Sequence, residues 1–375
     1  MQDSIWFRTL SDADREVFQA SDDQPASSDV VIVGAGLIGL SAAYYLTQAG
    51  VNNICVVDRK GPLAEASGAN AGGLWFGQQS AELGPIAGLA RLSQQLYADL
   101  ENRFSFDYRR SGILDLLHRE DDLRGASGRV AATEKAGFGA SILSPDDVAK
   151  CEPNLRFDGA GAIHFTGEGQ IHPAKLAAGL VRHLRLSGVK ICREVDVDDV
   201  NSLAADQIVI AAGAWTPLVT KALGWTPPIR PIRGTLLALP ELPAESIRHT
   251  VMAGRYYFWQ LAGGAVVCGG SEDDLGFERG VDNETVGAIR SDLNDFFPTL
   301  ARHETVCAWS GFRPFCEDLR PVIGPVPGND RIFVAAGHFR KGVMLAPATG
   351  KILADLIAGG STEMDISLLS PARFT

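Results

Sequence analysis

A chain of 375 residues with 46% hydrophobic and 21% charged residues has the composition of an ordinary globular protein and the length for about two domains. Its net charge of -11 and sequence pI near 5.1 argue against general affinity for nucleic acid or anionic lipid. The sequence shows no apolar run of the roughly 18 residues that a membrane-spanning helix needs, and Cys55, Cys151, Cys192, Cys268, Cys307 and Cys316 form no C-x-x-C pair, so reduced thiols in the cytoplasm are expected.

Residues 1–28 are acidic and lack both a basic n-region and an apolar h-region, so they do not read as a signal peptide. "SDADREVFQ" predicts a short helix with Ser11 as N-cap, and "SDDQPASSD" a loop. Trp6, Phe7 and Phe18 are more apolar than a free tail needs. This arm is therefore expected to pack on the body, with partner binding as the alternative. "DVVIVGAGLIGLSAAYYLTQAG" follows: four β-branched residues, Val30 to Val33, suit a strand buried on both faces. Gly34, Gly36 and Gly39 fit G-x-G-x-x-G, and good helix formers run from Leu40 to Gln48. In that pattern Gly34 permits a tight turn, Gly36 lets the backbone approach a pyrophosphate, and Gly39 lets helix and strand pack closely. "NNICVVDR" predicts a second strand ending at Asp58, placed for a ribose hydroxyl. A dinucleotide site is expected here, in a unit reaching to about residue 80.

Beyond it, Ile86 to Tyr97 has helical spacing, "RRSGILDLLH" reads as a turn and strand, and "SPDDVAKCEPNL" as a helix beginning after Ser144 and stopping before Pro153. The α/β texture returns with "HPAKLAAGLVRHLRLSGVKICRE", a helix and short strand, and "ADQIVIAAGAWTP", a buried strand ending in small residues. From Pro231 to Cys307 the short strands "GTLLALP", "RYYFWQL" and "GAVVCGG" suggest an antiparallel sheet, interrupted by a helix in "VDNETVGAIRSDLNDFFPTL". The end goes strand, glycine turn, and a helix predicted to start near Ala348. The expected fold is α/β, with a discontinuous Rossmann-like dinucleotide domain (29–100, 151–230, 313–375) and a mainly antiparallel substrate domain (101–150, 231–312).

Several separated motifs match one family. "VIVGAGLIGLSAAYYL", "EASGANAGGL", "IVIAAGAWTP", "PIRGTLLAL", "GGSEDDLGF", "GFRPFCEDLRPVIG" and "AAGHFRKGVMLAPATGKILADLI" resemble the FAD-dependent amine and amino-acid oxidoreductases that include glycine oxidase, sarcosine oxidase and D-amino acid dehydrogenase. The likeness covers nearly everything after residue 28, and the last motif is nearest to glycine oxidase. It implies FAD as cofactor, with Gly34, Gly36, Gly39, Asp58, Arg59 and Ser67 among the residues that bind it. Small side chains and free amides suit Asn70, Ala71, Gly72 and Gly73 to contact with a planar ring, and the resemblance implies the isoalloxazine. A plain flexible loop is the alternative. Ala212 and Gly213 fit the pyrophosphate side or, alternatively, close strand–helix packing. The loop holding Gly337, His338, Arg340 and Gly342 is implied to lie over the flavin pyrimidine edge. His338 suits a hydrogen-bonding spacer better than a general base.

Arg313 and Arg340 each match an arginine of the glycine oxidase active site by motif position. A guanidinium fork binds a carboxylate through two parallel hydrogen bonds, as an amino-acid site requires; a structural ion pair is the alternative. Tyr257 falls at the family's carboxylate-binding tyrosine, although relatives usually carry proline where this chain has Gln260. Strand alternation puts Trp259 on the face of Tyr257, where it would wall the pocket, or both serve the core. Sarcosine oxidase tethers its flavin through a cysteine, but Cys316 sits at a different offset, so non-covalent FAD is expected. The lysine with which sarcosine oxidase activates oxygen has no counterpart in "GAVVCGG".

The leading expectation is oxidation of a small amino acid or secondary amine by hydride transfer to flavin, with O2 or an electron-acceptor protein taking the electrons. Alternatives are the catalytic subunit of a dehydrogenase complex and a non-catalytic flavoprotein subunit. No nucleic acid, metal or membrane partner is expected, and assembly into a homo- or hetero-oligomer is.

Overall fold

Val30 and Ile32 face one buried layer and Val31 and Val33 another, so the strand Ser28–Val33 is covered on both sides, as its unbroken apolar run requires. The computed structural model describes residues 3–79 and 83–375; residue 80, the expected end of the dinucleotide unit, lies outside them. Ser28–Val33 is central in a six-stranded sheet in the order Val322–Val326, Asn329–Ala336, Ala205–Ile210, Ser28–Val33, Ile54–Asp58, Lys190–Arg193. All neighbours are parallel except Val322–Val326, which is antiparallel to Asn329–Ala336. Helices Leu37–Gln48, Ala87–Glu101, Pro173–Leu186 and Gly342–Gly359 share the apolar layer on one face.

The second sheet has eight strands in the order Cys307–Cys316, Ile229–Glu241, Ala265–Gly269, Tyr257–Gln260, Thr250–Met252, Ile113–Leu117, Gly161–Thr166, Gly139–Leu143. It is antiparallel apart from the pairing of Thr250–Met252 with Ile113–Leu117. Helix Asn283–Phe296 buries Ile289 and Leu293 in its outer layer. Sheet membership departs from the expected segment edges: Gly161–Thr166 joins the eight-stranded sheet, and Cys307–Cys316 runs straight through residue 312. Both are strands whose apolar faces find partners in the antiparallel layer, which no local signal reports.

Two further expectations need correction. The last helix begins at Gly342, not near Ala348, and carries Pro347 within it; the small residues around the proline had suggested a later start. With its preceding turn this stretch, Phe339–Gly359, is also long and apolar enough to cross a membrane, at mean hydropathy 1.3. It is 61% buried inside the protein and packs on Leu37–Gln48 so closely that a Cβ at Gly350 would lie 2.5 Å from the Ser41 carbonyl carbon. Its apolarity answers to that contact. The N-terminal arm packs on the body, as its aromatics suggested: Ser11 caps Asp12–Gln19 by accepting from the Asp14 N–H, and Trp6, Phe7 and Phe18 are buried.

Candidate functional site

The carboxyl ends of Ser28–Val33, Ile54–Asp58 and Ala205–Ile210 open onto a cavity of about 960 Å³, whose opposite wall is built by the eight-stranded sheet. Ligands of open α/β sheets bind at such strand ends. Gly34 turns at φ +114°, and a Cβ there would stand 2.4 Å from the Ala211 carbonyl oxygen. At Gly36 a Cβ would meet Ser67 Oγ at 3.0 Å, whereas at Gly39 it would fall 1.9 Å from the Gly34 carbonyl oxygen. Gly34 and Gly36 thus line the cavity; Gly39 lies behind them and serves helix packing. Helix Leu37–Gln48 starts here, with Ser67 Oγ accepting from the Leu37 N–H at 3.0 Å.

Asp58 lines the cavity too, but its carboxylate also organises the loop: Oδ2 accepts from the Ala35 N–H at 2.9 Å, and Oδ1 from the Lys60 and Gly61 N–H groups at 2.8 Å each. Arg59 lies over the Trp215 ring at 4.0 Å and pairs with Glu65 at 3.2 Å. Asn70, Ala71, Gly72, Gly73, Ala212 and Gly213 all face the same cavity. The Asn70 side chain bridges its own loop, Oδ1 accepting from the Gly72 N–H at 2.7 Å.

At the other end, Tyr257 and Arg313 meet. Arg313 Nη1 donates to the Ser271 carbonyl at 2.7 Å, and its guanidinium lies against Gly234, where a Cβ would come within 2.0 Å of Nη1. The Tyr257 ring lies against Gly270 in the same way, at 2.3 Å, and packs edge-on to Trp75. Burial pushes the Tyr257 hydroxyl above its ordinary value against the opposing pull of Arg313, so it stays a protonated donor at neutral pH. Arg340 also lines the cavity, with Nε 2.8 Å from Glu272 Oε1. Gly234, Gly270 and Glu272 were missed by sequence reasoning; an isolated glycine inside a strand run is the signal that marked Gly234, whereas Gly270 lies just past the strand Ala265–Gly269.

Two expectations, those for Trp259 and Gly337, are revised by the geometry. Trp259 is buried and stacks on Trp6 at 5.8 Å, so it belongs to the core and does not wall the pocket. Gly337 turns at φ +74° over Cys316 and does not line the cavity. His338 does line it, yet burial drives its pKa down to about 3, and Nε2 is 3.0 Å from Thr349 Oγ1. A neutral, engaged imidazole suits the spacer role. Cys316 is buried outside the lining, with its thiol pushed up to about 12 by burial. Among the described residues no group of three His, Cys, Asp or Glu is placed to hold a metal ion.

Comparison with known proteins agrees with this geometry. A glycine oxidase of Geobacillus kaustophilus is 27% identical over 92% of this chain and 97% of its own length. Its crystal structure superposes with a TM-score of 0.87 at 26% identity, covering 93% of this chain and 99% of that one. A D-amino acid dehydrogenase of Allorhizobium ampelinum is 27% identical over 92% of this chain and 98% of its own length. Hydrogen cyanide synthase subunit HcnC of Pseudomonas aeruginosa is 26% identical, over 92% and 96% respectively. The model of the family described as FAD dependent oxidoreductase matches residues 29–356, and the glycine cradle, strand-end carboxylate and adjoining cavity fit that cofactor. The chain belongs to the FAD-dependent oxidoreductase family.

Proposed function

We propose that this protein oxidises the C–N bond of a small amino acid or secondary amine bearing a carboxylate. The observation that carries the reading is the pairing of Arg313 with a protonated Tyr257 in the cavity that the Gly34–Gly36 turn also lines. When bound there, FAD supplies the hydride acceptor for a C–H bond next to nitrogen, leaving an imine that water hydrolyses. The residues named above would hold it, with Gly34, Gly36, Ser67 and Asp58 toward its nucleotide part and Asn70 to Gly73 toward the ring. The chain's own contribution is orientation. Arg313 presents guanidinium N–H groups beyond the one given to Ser271, and Tyr257 adds an O–H donor, so a carboxylate is clamped from two sides. Arg340 is offset by Glu272, which leaves it a rim charge more than a second clamp. The neutral His338 holds the Gly342–Gly359 helix through Thr349 and moves no proton. The six-stranded sheet carries the cofactor in this reading, and the eight-stranded sheet the substrate.

The test is anaerobic mixing of the flavin-loaded protein with glycine, sarcosine, D-amino acids, L-proline and secondary amino diacids. Bleaching of the flavin by one or more of them is expected, and no bleaching by any carboxylate-bearing amine overturns the reading. Oxygen uptake with peroxide release then separates an oxidase from a dehydrogenase. The second reading, transfer of electrons to another protein, is supported by the likeness to a D-amino acid dehydrogenase and to a hydrogen cyanide synthase subunit.

The flavin is proposed to bind without a covalent bond. Acid precipitation is expected to leave the yellow colour in the supernatant, because the Cys316 thiol is buried away from the cavity. Colour retained in the pellet contradicts this.

A further inference from the structure

The arm that precedes the family match at residue 29 ends up against the loop that faces the cavity. Three consecutive carbonyls of that loop are each held by a side chain from behind. Ser4 Oγ donates to Gly68 O at 2.8 Å, Trp309 Nε1 to Ala69 O at 3.2 Å, and Trp6 Nε1 to Asn70 O at 2.8 Å. Two of the three donors belong to the arm. Ser4 occupies the N-cap position of helix Ile5–Arg8, yet its hydroxyl makes no capping bond; it is spent on Gly68 instead. Ser4 and Trp6 are both fully buried.

Trp6 is itself locked. It stacks on Trp259 at 5.8 Å, packs edge-on to His172 at 5.2 Å, and its ring would meet a Cβ at Gly72 at 3.2 Å. His172 accepts from the Lys175 N–H at Nδ1, so Nε2 carries the proton and donates to Thr9 Oγ1 at 2.9 Å, fixing the arm once more. In a trans peptide the C=O and the following N–H point in opposite directions. Holding the Asn70 carbonyl from behind therefore turns the Ala71 N–H the other way, and Ala71 lines the cavity.

We propose that the N-terminal arm is part of the flavin site, with Ser4 and Trp6 acting as positioning residues that set the Asn70–Ala71 peptide against the isoalloxazine ring. The proposal rests on the reading that Asn70 to Gly73 face that ring. A backbone N–H held at a fixed angle to the ring affects its binding, its absorption spectrum and its midpoint potential, none of which a remote structural brace moves.

The test compares four variants of the full chain by FAD dissociation constant, visible spectrum and midpoint potential. Trp6→Phe keeps the aromatic packing and removes the N–H. It is expected to weaken FAD binding roughly five- to tenfold, since a buried carbonyl loses its donor, and to shift the long-wavelength flavin band and the potential. Ser4→Ala should act in the same direction with smaller effect, and it carries the test where Trp6→Phe gives no soluble protein. Arg182→Ala cuts a separate arm contact that does not involve the loop, to Asp14 at 2.5 Å, and should lower thermal stability alone. Asn70→Ala alters the loop directly. Flavin properties unchanged in Trp6→Phe and Ser4→Ala but altered in Asn70→Ala overturn the role of the arm and leave the ring's placement standing. Flavin properties unchanged in all of them overturn the placement and the proposal together.

Discussion

Arg313→Ala is expected to lower kcat/KM for a carboxylate-bearing amine by roughly ten- to a hundredfold, because a hydrogen bond to a charged group contributes about 1.5–3 kcal/mol. Misalignment of the reacting C–H bond adds to that loss. Arg313→Lys keeps the charge and loses the planar fork, so it should recover only part of the activity. Steady-state kinetics with an amino acid and with its decarboxylated amine check the assignment: the loss should be large for the first and small for the second. FAD content should stay near that of the unmodified protein. Gly234→Ala provides a companion that leaves Arg313 in the chain, since the added methyl would intrude to 2.0 Å of Nη1 and displace the guanidinium. It should reproduce the Arg313→Ala pattern. Equal losses with both substrate types would mark Arg313 as structural.

Gly34→Ala is expected to give a protein purified nearly free of flavin. At φ +114° an L-residue is strained by about 1–3 kcal/mol, and the new Cβ would sit 2.4 Å from the backbone oxygen of Ala211, which has no side-chain freedom to yield. The turn must open, moving the Ala35 amide off Asp58 and the helix start off Ser67. A rise in the FAD dissociation constant of at least roughly a hundredfold follows from a disturbance of that size. Titration of the apoprotein with FAD, followed by flavin fluorescence, measures it. Gly39→Ala forms the contrast: its Cβ would strike the Gly34 carbonyl from the helix side, so thermal stability should fall together with flavin affinity. Flavin affinity near normal in Gly34→Ala would place the pyrophosphate elsewhere.

The nucleotide end of the site was legible because its chemistry is local. A strand, a glycine turn and a helix lie within one short stretch, and each element follows from neighbours in sequence. Helix caps were legible for the same reason: Ser11 and Ser144 each accept from the N–H three residues on. The substrate end was harder to read. Tyr257 and Arg313 come from strands that are not adjacent in the sheet, and family likeness rather than periodicity singled them out. Alternation along "RYYFWQL" put Tyr257 and Trp259 on one face correctly, yet could not tell that the face passes from cavity to core within two residues. Nor did the pattern reveal what covers Trp259, because Trp6 lies in another part of the chain. Gln260 shows the same limit. A polar residue where relatives usually have proline looked like a departure, and its Nε2 donates to the carbonyls of Leu242, Pro243 and Gly264, binding two turns together.

The order of strands in the six-stranded sheet has a consequence for how the chain is made. Ser28–Val33 and its neighbour Ile54–Asp58 leave the ribosome close together, but Ala205–Ile210 must be synthesised before the other edge is paired. The strand Asn329–Ala336, which pairs with Ala205–Ile210, and the apolar helix Gly342–Gly359 follow later still. An apolar sheet surface therefore waits for a cover encoded by residues 342–359, far along the chain. Chains with such long-range pairing fold slowly and expose sticky intermediates. Nascent-chain chaperones are the natural custodians of that interval, and a stop codon shortly before residue 342 should yield insoluble protein, even though every glycine of the phosphate turn is already in place.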